Sequence, residues 1–427
     1  MILTVFIGGF VVLLLIGVPV SFGLMATAFF TGFVMWGFDL PVTVFAQRTV
    51  GGINNFTILA IPLFLLAGKL MNAGTITDRI FNFCKSLVGH LPGGLAYVNV
   101  MASVIFAGMS GSAVADIAGL GVIEIKAMTD NGYDMEFSVA VTAASSLVNP
   151  VIPPSLAMVM FGVLSGASIT AMFLGGIVPG LLMAASISVL VFVYSVKRKY
   201  PRGQKPSLPD IIHNSLRAFL PLMCPLIIIG GIWTGVFTPT ESAGIAVFYS
   251  FILIMFVFRA LKWKELWVVL REALVDCTSI VFIIGCISAY GYVLTRTRVP
   301  YLLVEWVTGI TTDPLLITFL LHIFFLVCGM FMSTMEAIIL FTPVITPLLQ
   351  HTGIDLVAFG VVCVINLMIG QLTPPFGMVM FVVAKISDLQ LNRVFACCMP
   401  FIIPVLIIMI MCSIFPGIVT FIPYTFL

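Results

Sequence analysis

Apolar residues run in long blocks along this chain, and the polar positions that interrupt them follow a repeating plan. Residues 2–36 are apolar but broken at Gly17-Val18-Pro19. That break predicts two short helices or one kinked helix, because proline removes a helical donor and clashes with the preceding turn. Residues 39–55 are more polar, carry Arg48 and suit a helix lying at a membrane interface. Spans are expected at 58–71 and 76–91. Residues 93–131 then pass through the small polar island Gly108-Met109-Ser110-Gly111-Ser112-Ala113-Val114-Ala115-Asp116 and reach a turn at Asn131-Gly132. This pattern predicts a re-entrant helical hairpin with its tip at residues 110–112. A span over 137–167 is interrupted at Asn149-Pro150-Val151-Ile152-Pro153-Pro154, and residues 169–196 close the first half.

The plan then starts again. Residues 216–236 and 242–258, split before Pro239, resemble the opening pair. Residues 262–276 match the earlier interfacial helix, and 279–294 and 301–310 read as spans. A second hairpin is expected over 314–350 with its tip at Met332, Ser333 and Thr334. It is followed by a segment broken at Asn366 and at Gln371-Leu372-Thr373-Pro374-Pro375, and by a last span over 394–421. The offset between halves is constant: 329 − 108, 353 − 132 and 374 − 153 all equal 221. The count of crossings is about ten or more, depending on how interrupted segments are counted, and it leaves the relative orientation of the halves open.

Composition turns this pattern into a membrane assignment. Hydrophobic residues make up 61% of the 427 and charged residues 8%, against roughly 45–50% and about 25% in an ordinary soluble domain. The continuous apolar runs exclude a β-barrel, whose strands alternate. The fold class is an all-α polytopic membrane protein of two repeats, each with a re-entrant hairpin and a broken helix. Net charge is only +2, but Lys197, Arg198, Lys199, Arg202, Lys205 and Arg217 crowd one linker, which the positive-inside tendency places in the cytoplasm. The first apolar run lacks a basic flank and a small-residue cleavage site, so it is expected to be a retained span.

The polar islands carry the candidate chemistry. A broken helix in lipid needs partners for its freed backbone groups, so it lines a cavity or binds something. Its exposed carbonyls suit a hard cation such as Na⁺, and helix N-termini suit a carboxylate. For a single Gly-Ser-Gly-Ser, close helix packing is the ordinary explanation. Recurrence at a fixed offset, each time with a Pro-Pro pair, favours a site at the repeat interface. The candidate Na⁺ positions are Ser110, Gly111, Ser112, Asn149 and Pro153 in the first half. In the second half they are Gly329, Met332, Ser333, Gln371, Thr373 and Pro374. The ligands would be mainly backbone, forming two sites. The hydroxyls of Ser112, Ser155, Ser333 and Thr373 are candidates for a polar organic anion. Asp116 and Glu336, one turn past the tips, either join that site or pair with a structural cation. Glu241 reads as a helix cap. No Walker A, HExxH or GxSxG sequence is present. Direct ATP drive and hydrolytic chemistry are therefore not expected, and no organic cofactor or nucleic-acid partner is implied.

At these residues the chain resembles the large membrane subunit of the tripartite ATP-independent periplasmic (TRAP) transporters. The resemblance rests on GMSGSAVADIAGLG from Gly108, NPVIPPS from Asn149, TPTESAG from Thr238, GMF from Gly329 and LTPPFG from Leu372, spread through both halves. It implies an elevator mechanism, in which a transport part carrying both hairpins slides against a scaffold. The corresponding division is a scaffold part over 1–91 and a transport part over 92–196 with its hairpin at 93–131. A cytoplasmic basic linker over 197–214 leads to a second scaffold part over 215–312, and a second transport part over 313–427 has its hairpin at 314–352. The resemblance also implies a small four-helix membrane subunit, a periplasmic substrate-binding protein, Na⁺ coupling and a bacterial inner-membrane location. Ser333 stands where many members have Asp, and Asn149 where many have Gly. The motifs are most similar to the sialic-acid branch, which makes N-acetylneuraminate the expected substrate. A C4-dicarboxylate or other carboxylate importer, a self-sufficient sodium/dicarboxylate symporter, and a channel or scaffold are the alternatives.

Overall fold

The computed structural model describes residues 8–427 except Leu40, Gly74, Thr75 and Gln204, so the start of the first expected span lies outside the described residues. Among the described residues the chain is helical throughout, with one isolated bridge between Pro92 and Arg202 and no strand. Six helices are long and apolar enough to cross a membrane: Ile169–Arg198, Leu208–Trp233, Pro239–Val257, Trp263–Arg296, Pro314–Phe331 and Leu391–Ile414. The pair Val42–Ile53 and Phe56–Asn72, bent by 55°, makes a seventh. The count falls below ten because most hairpin arms and half-helices are too short to cross alone. Gly94–Met109, Leu156–Ser165 and Met378–Ser387, for example, are apolar helices of 10–17 residues.

The two halves repeat helix for helix. In the first hairpin, Gly94–Ser110 is followed by Gly111 in the left-handed region (φ 58°) and by Ser112. The return arm runs through Ala113–Asp116, a π-turn Ile117–Gly121 and Val122–Asp130. The second hairpin is Pro314–Phe331, then Met332 and Ser333 extended, then Thr334–His351. The return arms start and end at one offset, 334 − 113 = 221 and 351 − 130 = 221. Met135–Ser146 and Leu356–Gln371 each run into a break with a cis Pro-Pro bond, at Pro153-Pro154 and Pro374-Pro375. Beyond the breaks the helices resume as Leu156–Ser165 and Met378–Ser387.

The repeats differ at one place that the sequence reading mistook. Residues 262–276 and 279–294 were expected as separate elements, but Trp263–Arg296 is one helix of 34 residues. Its first-half equivalent starts at Val42 (263 − 42 = 221) and does break, where Asn55 accepts from the Thr57 N–H at 2.9 Å and caps a new turn. The same position in the second half is Asp276 (276 − 55 = 221). Its carboxylate is drawn instead to Lys69 at 2.6 Å, and the helix continues. Trp263–Arg296 packs on Val42–Ile53 and on Ala60–Asn72, while Leu156–Ser165 of the first half packs on Thr334–His351 of the second. Packing thus crosses between the halves at two places.

Of the linker expected over 197–214, only 199–207 lies outside helices, and it is pinned. Ser207 and Asp210 form a capping box that starts Leu208–Trp233. The Gly93 N–H donates to Pro201 O at 3.3 Å, the Gly203 N–H to Gly89 O at 3.1 Å, and the Tyr133 hydroxyl to Pro201 O at 3.4 Å. Asp134 accepts from Arg198 at 2.7 Å and from the Tyr200 hydroxyl at 2.6 Å. These bonds fasten the linker to the base of the first hairpin.

Candidate functional site

Both hairpin tips and both broken helices meet around a cavity of about 490 Å³. Four helix N-terminal turns reach its wall: Ser112 to Ala115, Leu156 and Ala157, Ser333 to Met335, and Met378. First-turn N–H groups have no partner within their own helix, and the helix dipole adds partial positive charge there. The wall can therefore receive an anion without a basic side chain. Another part of the wall comes from the helices ending at Asn72 and passing through Asp276; it contributes Lys69, Asn72, Asp276 and Ser279.

The tips are docked on their own breaks by backbone contact. A Cβ on Gly111 would lie 2.7 Å from Pro154 O, and one on Gly329 2.7 Å from Leu367 O and 3.1 Å from the Gly370 Cα. Only glycine permits such approaches. The Gly377 N–H donates to Met330 O at 3.0 Å, tying the second break to its tip. Beside Gly377 the carbonyls of Gln371 and Thr373 converge, 2.8 and 2.9 Å from where its Cβ would be. Converging carbonyls of this kind suit a hard cation.

Among the expected site residues, Gly111, Ser112, Ser333 and Gln371 line the cavity together. The Ser112 and Ser333 hydroxyls accept from the N–H groups of Ala115 and Glu336, at 3.4 and 3.3 Å. The Gln371 amide donates to the Thr334 hydroxyl at 2.7 Å, joining the second break to the second tip. Met332 and Pro374 flank this group without lining the cavity, and the side chain of Ser110 lies outside the described residues.

Other expected residues sit elsewhere. Ser155 is fully buried; its hydroxyl donates to Pro150 O and accepts from Met158 N–H, so it holds the break together. Thr373 donates to Ile369 O at 2.8 Å. Glu336 accepts from the Ser333 N–H at 2.9 Å, the return half of a capping box. Pro153 is buried at the break, and Asn149, also buried, neighbours the Asp116 carboxylate.

Asp116 itself is 2% exposed and points behind the tip, where Ser103 donates to it at 3.0 Å. From there a buried polar chain continues. Ser103 and Ser145 sit 3.1 Å apart, Ser145 donates to Asn99 at 2.7 Å, and Asn99 donates to Thr142 at 2.6 Å. Sequence reasoning missed Asn99, Ser103 and the group of Lys69, Glu272 and Asp276. A lysine inside the apolar run 58–71, and Glu272 and Asp276 spaced four apart on one helix face, were the signals available.

Repeated hairpins, paired broken helices and a shared central cavity define a membrane transporter rather than an enzyme. Residues 7–418 match the family described as "Tripartite ATP-independent periplasmic transporter, DctM component". The chain belongs to that family, whose large permeases are multi-pass proteins of the bacterial inner membrane. It is 38% identical over 419 residues to the sialic acid TRAP transporter large permease protein SiaM of Vibrio cholerae, covering 98% of each chain. It is also 38% identical over 413 residues to the sialic acid TRAP transporter permease protein SiaT of Haemophilus influenzae, covering 96% of this chain and 67% of that one. The crystal structure of the YdaH transporter of Alcanivorax borkumensis shares the fold at a TM-score of 0.66 and 12% identity, over 88% of this chain and 89% of that one.

Proposed function

We propose that this TRAP large permease is the membrane-embedded part of a sodium-coupled importer of N-acetylneuraminate, fed by a periplasmic binding protein and assembled with a small membrane subunit. The observation that carries the reading is the cavity of about 490 Å³ between two neutral, hydroxyl-bearing tips. Its size falls in the range of small-molecule sites, roughly 300–1,000 Å³. Helix N-termini and the Ser112, Ser333 and Gln371 side chains match a polyhydroxylated monocarboxylate better than a dicarboxylate, which asks for a second cationic partner. The two relatives at 38% identity, both named for sialic acid, support the same substrate.

Support for coupling to Na⁺ comes from backbone carbonyls at the breaks, Pro154 O beside Gly111 at one and Gln371 O and Thr373 O beside Gly377 at the other. One charge moved across 100 mV contributes about 2.3 kcal/mol, enough to drive accumulation. The two tips and their breaks would move as one body against the wall that carries Lys69 and Asp276. The test is uptake of labelled N-acetylneuraminate into proteoliposomes holding the permease and its small subunit. Uptake should need both an inward Na⁺ gradient and the binding protein. Accumulation that persists after the gradient is collapsed would refute the coupling, and accumulation by the large permease alone would point to a self-sufficient symporter.

A further inference from the structure

The tip-side wall of the cavity is uncharged, and the charge comes from the other part of the wall. Among the described residues lining the cavity, Lys69 is the sole cation and Asp276 the sole anion. The Lys69 ammonium lies 2.6 Å from Asp276 and 3.9 Å from Glu272. Both carboxylates sit on Trp263–Arg296, four residues apart and so on one face. Neither member of the pair is sealed off: the Lys69 side chain is 27% exposed and that of Asp276 51%.

Helix packing alone does not account for this pair. An ion pair this open adds little to stability, whereas ionisable groups set among the apolar residues of membrane helices are costly to keep there. Ionisable groups kept at that cost face a pathway or a ligand. Here they line the same cavity as the helix N-termini. A carboxylate seated there is within the reach of a four-carbon lysine stem, which holds its charge on three freely rotating donors.

We infer that Lys69 is the scaffold-borne cation that recognises the substrate carboxylate, and that Asp276 competes with the substrate for it. With the cavity empty, Asp276 holds the ammonium. An entering carboxylate takes Asp276's place, and departure of the substrate restores the pair. This rests on the reading that the cavity receives an organic acid, and it gives the charge recognition to the wall that the tips move against.

Competition separates this role from a merely structural pair by sign. If the pair only joined two helices, removing either partner would weaken binding or leave it alone. If Asp276 competes, the two removals act in opposite directions. The experiment measures binding of N-acetylneuraminate, gluconate and succinate to the purified permease–small-subunit complex in nanodiscs. N-Acetylmannosamine, which lacks the carboxylate, is the control, and the unfolding temperature of each variant is recorded alongside. K69Q should raise the Kd for the bound acid about five-fold, the upper end for one open charge contact, and leave N-acetylmannosamine within two-fold. K69R should recover most of the affinity, and D276N should lower the Kd about three-fold.

Shifts of K69Q and D276N in the same direction, or a K69Q value within two-fold of wild type, would overturn the inference. A wild type that prefers gluconate or succinate overturns the sialic-acid reading alone, and the sign test is then read on that acid. A wild type that binds none of the three overturns both.

Discussion

Gly111→Ala is the sharpest probe of whether the cavity depends on docked tips. Gly111 sits at φ 58°, where an L-residue costs roughly 1–2 kcal/mol. The added methyl would stand 2.7 Å from Pro154 O, 3.4 Å from Leu156 N and 3.5 Å from the Ser155 Cα. The nearest of these is backbone at the helix break and cannot swing aside as a side chain would. Displacing it costs about 1–3 kcal/mol. Together the two penalties come to about 2–5 kcal/mol against the docked tip. At the low end, affinity for any ligand that needs the docked tip falls about 30-fold, since about 1.4 kcal/mol is a factor of ten. Gly132→Ala is the matched control: φ is 83°, but no heavy atom lies within 4 Å of the new methyl, so it carries the strain without the clash. The assay is thermal unfolding of both variants in nanodiscs across a Na⁺ titration, paired with uptake in proteoliposomes. Gly111→Ala should lose the Na⁺-dependent rise in unfolding temperature and most of its uptake, while Gly132→Ala keeps both. Equal behaviour of the two variants would refute the docking argument.

Three further outcomes follow from the geometry. Ser103→Ala removes the donor to buried Asp116 and the link to Ser145, and should destabilise the protein by about 1–3 kcal/mol, read as a lowered unfolding temperature. Gln371→Met keeps the length of the side chain but deletes the bond to the buried Thr334 hydroxyl; initial uptake rates should drop several-fold, with a stability loss of no more than about 1–3 kcal/mol. Asp134 is held below the usual carboxylate range, first by the Tyr200 hydroxyl and then by the Arg198 guanidinium. A depressed value stabilises fully above the unfolded value of about 3.9 and is lost as pH falls through the folded one. The difference in unfolding temperature between wild type and Asp134→Asn should therefore be flat from about pH 5 to 8 and shrink below about pH 4. A difference that instead changes near pH 7 would show that another group governs the linker.

Features encoded locally were legible in the sequence. Both hairpins, both Pro-Pro breaks and the constant offset could be read directly, because glycine, proline and small polar residues inside apolar runs have few structural uses. The Thr238 and Glu241 capping box was legible for the same reason. What the sequence did not disclose was direction. Asp116 and Glu336 occupy equivalent-looking places after the tips, yet one turns into a buried serine and asparagine network and the other closes a capping box. A carboxylate's partner is set by which helix lies beside it, and periodicity within one helix is silent on that. Lys69 and Asp276 escaped notice likewise, since they come from helices more than 200 residues apart and only their packing brings them together.

The polar chain behind the first tip shows how a repeat can make two unlike walls. Thr142, Asn99, Ser145, Ser103 and Asp116 correspond, at the offset of 221, to Cys363, Leu320, Asn366, Phe324 and Ala337. One half thus backs its tip with buried hydrogen bonds, while the other has apolar residues at all of these positions but Asn366, whose amide donates to His322 O at 2.6 Å, and leaves Leu320 and Phe324 exposed. Buried hydrogen-bonded networks fix geometry because breaking any member leaves an unsatisfied group. Apolar packing tolerates small shifts at lower cost. The first tip should therefore be the rigid reference and the second the adjustable one, although the return arms of the two hairpins begin and end in the same register. A ligand held between them meets an asymmetric site, which lets a monocarboxylate bind in one orientation, and a perfectly two-fold pocket would offer no such choice.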